Sequence, residues 1–285
     1  MKILITGANG QLGSELKDLL GQHPLKDCYF LDRKQLPLDQ PILIQDVLGM
    51  YEPDIIIHAA AYTAVDKAES EPELVDVVNH LASEEIAQYC RLNGTRLIAI
   101  STDYVFDGNS EKPLTEEAAV SPVNTYGLTK LQGEQAIMKW HPESIVIRTS
   151  WVYSKYGNNF VKTMLRLMTE RDEINVISDQ VGSPTAAKDL ALAIVHIIDS
   201  EQWTPGIYHY SNEGEISWYD FAEAIKEIKD LDCKINPIPT SQYPTAATRP
   251  KYSLLDKTKI KSTFDIEVPF WKDSLKEMLS NINDY

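Results

Sequence analysis

The chain opens with an apolar run, Met1–Thr6, that breaks into Gly7-Ala8-Asn9-Gly10-Gln11-Leu12-Gly13. A helical pattern over Ser14–Gly21 follows at once, with Leu16, Leu19 and Leu20 on one face. Strand, glycine-rich turn and helix in immediate succession leave few folds open, because the helix must lay its leucines back against the strand it has just left. This is the opening of a βαβ unit. Small residues in such a turn let the backbone approach a pyrophosphate, whose charge is met by the amides at the helix start. The spacing is GxxGxxG, one position longer in its first gap than GxGxxG. A plain strand-to-helix turn is the alternative.

The rhythm continues. Apolar runs at Cys28–Leu31, Ile55–Ala59, Arg96–Ser101 and Ser144–Arg148 predict further strands, and helical patterns lie around Glu73–Asn93 and Tyr126–Trp140. Strands alternating with helices imply an α/β fold with a Rossmann-type, doubly wound parallel sheet covered on both faces. After about Trp151 the pattern loosens, with helices expected at Asn159–Thr169, Lys188–Asp199, Ser217–Leu231 and Trp271–Asn283. Residues 1–150 are therefore read as a dinucleotide-binding domain. Residues 151–285 are read as mainly a smaller substrate lobe, interwoven with the first and returning some segments to it.

Composition narrows the function. A formal net charge of −15 over 285 residues repels a phosphate backbone, so no nucleic-acid partner is expected, and a nucleotide ligand must be met locally. No run of about 20 apolar residues and no leader pattern appears, which predicts a cytoplasmic protein with no membrane partner. Cys28, Cys90 and Cys233 are too few and too scattered for a disulfide framework or a CxxC metal site.

Asp32, ending the second strand, is placed to accept hydrogen bonds from an adenosine ribose, which favours NADH; Arg33 and Lys34 beside it suit the extra phosphate of NADPH. Both cofactors stay open, as does a merely solvated charged turn. Tyr126 and Lys130, four apart on one helix face, form a YxxxK pair in which a nearby ammonium is expected to lower the phenol pKa and make it a better acid. Alone this pattern is common. It gains weight by following Ser101-Thr102-Asp103, hydroxyls that end a strand where α/β ligands bind.

Gly7, Gly10, Gly13, Thr102, Tyr126 and Lys130 in this order resemble the extended short-chain dehydrogenase/reductase family. More narrowly, the segments Ala59–Glu69, Ser101–Phe106, Arg148–Tyr153 and Asp179–Thr185 resemble the dTDP-4-dehydrorhamnose reductases, and matches run on to Arg249-Pro250 and Leu254-Leu255-Asp256. The resemblance implies an NAD(P)H-dependent oxidoreductase acting on a nucleotide sugar. By it, Gly10, Gln11 and Leu12 cradle the cofactor diphosphate, Asp32, Asp39 and Gln40 flank the adenosine, and Ala61, Tyr62 and Thr63 line the path to the nicotinamide. Thr102 and Asp103 contact the sugar, Trp151 packs on it, and Tyr126 and Lys130 serve catalysis. Arg249 is a candidate counter-ion for the substrate diphosphate, a structural ion pair being the alternative.

Other enzymes of the superfamily compete with this reading. A similar dehydratase needs an acid directly after Thr-Asp, where this chain has Tyr104, and epimerases tend to be longer chains. A non-catalytic regulatory subunit of another enzyme is the rival from a different class. His58 is read as a packed strand-end histidine, and Trp203, Trp218 and Trp271 as core. Some similar reductases join two subunits through Mg²⁺ held by three glutamates. Glu15 matches the first position, but Lys188 and Asn281 stand at the other two, so no metal is expected and the chain should be a monomer or a weak, metal-independent homodimer.

Overall fold

Ile3, Ile5, Ile55, Ile57, Ile98, Ile145 and Ile147 share one buried cluster, while the residues between them, Leu4, Ile56, Leu97, Ala99 and Val146, share another. This alternation is the period-two signature of strands buried on both faces. In the computed structural model, which describes residues 1–21, 26–200 and 202–282, they build β1 (Lys2–Thr6), β2 (Asp27–Leu31), β3 (Ile55–His58), β4 (Arg96–Thr102) and β5 (Ile145–Thr149). With the strand Gly206–His209 they form a six-stranded sheet in the order Gly206–His209, β5, β4, β3, β1, β2, parallel throughout.

One face is covered by α1 (Gln11–Leu20) packed against the helix Ala187–Asp199, with Leu12, Leu16 and Leu20 meeting Leu190, Ile194 and Ile197. The other is covered by Ile44–Tyr51, Ala82–Asn93 and Thr125–Trp140. From β1 the chain crosses outward to β2 and then back past β1 to β3, so the order reverses between β1 and β3. At such a switch point the carboxyl ends of the strands open a crevice.

The second half of the chain builds its own core. Helices Phe160–Glu170, Trp218–Lys229 and Trp271–Ser280 enclose Met164, Phe221, Ile225, Trp271 and Leu275 beside a parallel ladder of Glu173–Ile177 with Lys234–Ile238. It also lends Leu190, Tyr208 and Ile260 to the first cluster. The last helix stops at Ser280, and Asn283, expected to end it, lies outside the described residues.

The helix expected over Glu73–Asn93 is not continuous. Pro72–Asp76 and Ala82–Asn93 are joined by one π turn, Val77–Leu81, which carries the buried Asn79. Such wide turns are concentrated at functional sites. Among the described residues no helix is long and apolar enough to cross a membrane.

Candidate active site

Gly7 leaves β1 with a φ of 75°, and a Cβ there would stand 2.9 Å from the backbone of Ala60. Only a glycine lets the ends of β1 and β3 approach this closely. Gly10 caps α1 with no side-chain hydrogen bond, so the first helix amides, from Gln11 and Leu12, are not covered by a capping side chain. That bare helix start, lining a cleft of about 760 Å³, suits a dinucleotide diphosphate. Gly13 does not line the cleft. A Cβ on it would meet the Gly7 carbonyl oxygen at 2.2 Å, so its part is to let α1 sit tight against the turn.

At the far end of the cleft Asp32 Oδ1 accepts from the amides of Lys34 at 2.9 Å and Gln35 at 3.1 Å, which fixes the carboxylate in place. Arg33 is largely exposed and its Nη2 pairs with Asp39 Oδ2 at 2.8 Å. Gln40 stands beside them in an adjoining shallow pocket. Midway, Ala61, Tyr62 and Thr63 form one wall. The Tyr62 amide donates to Asn79 Oδ1 at 2.8 Å and its carbonyl accepts from Asn79 Nδ2 at 3.2 Å. Asn79 Nδ2 also reaches Thr129 Oγ1 at 3.3 Å, tying that wall to the helix that carries Tyr126.

That helix, Thr125–Trp140, starts at Asn124, whose Oδ1 accepts from the Gly127 amide at 2.8 Å. A Cβ on Gly127 would fall 2.1 Å from the Tyr104 carbonyl oxygen, so glycine lets the first helical turn press against the end of β4. Tyr126, Lys130 and Thr102 thereby meet in one cleft. Thr102 Oγ1 donates to Asp103 Oδ1 at 3.0 Å and shares the cleft with the Tyr126 phenol. One turn beyond Lys130, Glu134 receives Arg148 of β5 in a buried two-pronged ion pair, with Nη2 2.7 Å from Oε2.

The electrostatics correct one expectation. The Tyr126 phenol is not lowered; burial pushes it up to about 12, against the pull of the Thr102 hydroxyl and with help from the Asp103 charge. Lys130 is itself pushed down by burial to about 8, while Glu134 works the other way. Its ammonium points at the Ile100 carbonyl, 2.8 Å away. Loss of hydration by two buried groups outweighs their spacing on the helix. The phenol is thus fully protonated at neutral pH. Burial likewise raises Asp103 to about 6. His58 is fully buried between Thr6 Oγ1 at 2.9 Å and Ser83 Oγ at 3.3 Å, and is depressed to about 3, which makes it a packing residue.

Over its whole length the chain also matches known proteins. A family described as RmlD substrate binding domain covers residues 1–283. The dTDP-4-dehydrorhamnose reductase of Escherichia coli K12 is 41% identical over 99% of this chain and 98% of its own. The chain is a member of the dTDP-4-dehydrorhamnose reductase family. A Bacillus anthracis dTDP-4-dehydrorhamnose reductase solved in complex with NADP superposes with a TM-score of 0.94 at 40% identity, covering 98% of both chains. A Clostridium acetobutylicum relative gives 0.94 at 39%, over 98% of this chain and 99% of that one. A Thermus thermophilus UDP-glucose 4-epimerase in complex with NAD shares the fold, with a TM-score of 0.81 at 19% identity and 98% of each chain covered.

Within this dTDP-4-dehydrorhamnose reductase fold, two sequence expectations resolve differently. Arg249 does not line the main cleft; it grips Asp66 with Nη1 at 3.0 Å and Nη2 at 2.6 Å, the structural ion pair that was its alternative. Trp218, expected in the core, lines the cleft and stacks on Trp151 with ring centroids 3.7 Å apart. Asn79 and Trp218 were both missed, although an asparagine inside an apolar helical pattern is a visible anomaly.

Proposed function

We propose that the chain transfers hydride from NADPH or NADH to the C4 keto group of dTDP-4-dehydro-L-rhamnose, giving dTDP-L-rhamnose. The carrying observation is the convergence of Thr102, Tyr126 and Lys130 beside the bare start of α1 in a single cleft. The glycine cradle and uncapped helix fit the cofactor diphosphate, and Asp32 faces the adenosine ribose. When bound, the dihydronicotinamide supplies the hydride.

The chain's own residues do the rest. On substrate binding Thr102 turns its one hydroxyl proton from Asp103 to the keto oxygen and sets that oxygen against Tyr126. Tyr126, held protonated, passes its phenolic proton to that oxygen as negative charge develops, and a donor so placed is worth about 3–4 kcal/mol. Lys130 orients the nicotinamide ribose and, as a cation, stabilises the phenolate left behind. Asp103 holds the Thr102 hydroxyl until the sugar arrives, and Trp151 packs on the sugar. Tyr104, where a related dehydratase would need an acid, lies edge-on to Tyr126 at 5.6 Å between ring centroids. It carries no carboxylate for C5 proton removal, which favours net reduction.

The same reading makes the protein cytoplasmic, with a nucleotide sugar as its partner, and a monomer or a weak homodimer independent of metal. A panel of nucleotide keto sugars assayed with NADH and NADPH separately tests it. Consumption of reduced cofactor with dTDP-4-dehydro-L-rhamnose is the expected result; no turnover with any keto sugar, together with a stoichiometric protein partner in a pull-down, would replace it with a regulatory role.

A further inference from the structure

Trp151, just beyond the end of β5, has a left-handed backbone with a φ of 48°. A bulky residue keeps that conformation only where its surroundings over-determine it, and such residues gather at ligand sites. Three contacts do so here. Its carbonyl accepts from the Thr185 amide at 3.3 Å. A Cβ on Gly182 would come within 3.1 Å of Trp151 Cζ2, so the ring lies closely over that glycine and a side chain there would crowd it. The third contact is the indole of Trp218, stacked at 3.7 Å with the planes 15° apart.

Trp218 is itself anchored. It is the first residue of the helix Trp218–Lys229, whose start is locked by reciprocal hydrogen bonds between Ser217 and Asp220, 2.8 Å and 3.1 Å long. Phe160 packs on its ring at 4.6 Å. Trp218 thus belongs to the second core, Trp151 to the end of the main sheet, and both line the cleft. A core residue that reaches into a ligand cleft and holds a strained aromatic neighbour there has more to do than fill space.

We infer that Trp218 is a positioning residue for the sugar: by stacking on Trp151 it holds that indole at the cleft wall, so the substrate meets a two-indole unit built from both halves of the chain. This rests on the proposal that Trp151 packs on the sugar. A freely rotating Trp151 would have to be immobilised each time substrate bound; the stack removes that cost beforehand.

Steady-state kinetics of Trp218→Leu, Trp151→Ala and the double variant test it. Trp218→Leu should raise KM for the sugar nucleotide about tenfold, with kcat held within about threefold and KM for NAD(P)H unchanged, the pattern of lost uniform binding. Trp218→Phe should recover most of the loss. Because Trp218 acts through Trp151, the double variant should be no worse than Trp151→Ala alone. If Trp151→Ala leaves KM unmoved, the sugar-packing reading fails and takes the inference with it. If Trp151→Ala raises KM but Trp218→Leu does not, or the two effects add, only the inference is overturned. A Trp218→Leu protein that melts earlier and loses kcat at constant KM also overturns it. Should that variant fail to fold, Trp218→Phe and Trp218→Tyr, which keep an aromatic ring in the second core, carry the same comparison.

Discussion

Lys130 gives its ammonium to the Ile100 carbonyl, 2.8 Å away, and not to the Tyr126 phenol. That bond holds a buried charge in place without neutralising it, and burial leaves the group titrating at about 8, below its ordinary 10.5. Between those two values the unfolded chain keeps a proton that the folded chain has lost, so stability rises with pH across the window by about 1.4 kcal/mol per unit. At pH 7 the same burial is a cost. Lys130→Met should therefore be nearly inactive yet more stable at pH 7 by up to about 3 kcal/mol. Denaturant melts at pH 7, 9 and 10.5 should show the advantage shrinking to nothing; a constant difference would refute the burial account. In the native enzyme, kcat/KM should fall above pH 8 as the free protein loses that charge.

Tyr126→Phe should keep cofactor affinity within a few-fold while turnover drops by about 100-fold or more, because only the proton donor is removed. Cofactor titration by fluorescence and steady-state assay measure the two halves. Near-normal turnover would sink the assigned role.

Asp32 and Arg33 should pull cofactor choice in opposite directions. Two backbone amides hold the Asp32 carboxylate against the adenosine ribose, whereas Arg33 is exposed and tethered only to Asp39. We predict turnover with both NADH and NADPH. Asp32→Ala should shift the kcat/KM ratio toward NADPH and Arg33→Ala toward NADH, each by about tenfold, the scale of one lost exposed contact. A native preference above about 1000-fold would show that one of these side chains plays no part.

Chelation should change nothing. The buried Glu15 accepts from Ser154 Oγ at 2.6 Å, and Lys188 pairs with Glu277 of its own chain. Glu15, Lys188 and Glu277 line one small pocket, where an ammonium repels a divalent cation and offers it no lone pair. Sedimentation and activity should be the same in EDTA and in excess Mg²⁺. A dimer that dissociates on chelation and re-forms with Mg²⁺ would be the contrary result.

Much of this was legible in the amino acids, for identifiable reasons. Alternation in Ile3-Leu4-Ile5 and Ile55-Ile56-Ile57 belongs to fully buried strands, and Gly7, Gly10 and Tyr126 sit on short local segments whose geometry the sequence dictates. What escaped depends on distant parts of the chain meeting. Nothing near Trp218 announces Trp151, which lies 67 residues earlier. Asn79 sits in a π turn, which a regular helical period cannot represent, and there pairs with the backbone of Tyr62. The Tyr126 phenol was misjudged because spacing shows which charges are neighbours and not how much water they lose.

The sheet closes late. β5 lies between β4 and Gly206–His209, and its outer partner is synthesised more than fifty residues after it. At ribosomal speed that is on the order of 3–11 s. For that interval Ile-Val-Ile stands as an unpaired, apolar edge, the kind of template on which other chains add. Arg148 puts a charge directly after Ile147 on the same strand, and its partner Glu134 has already emerged. The ion pair that looks like a fixture of the finished core would thus also serve as a guard during biosynthesis. Replacing both residues with apolar ones should leave the purified enzyme at least as stable while lowering the soluble fraction made in cells; unchanged solubility would show the guard to be superfluous. The hazard in this fold lies in the order in which its strands are born.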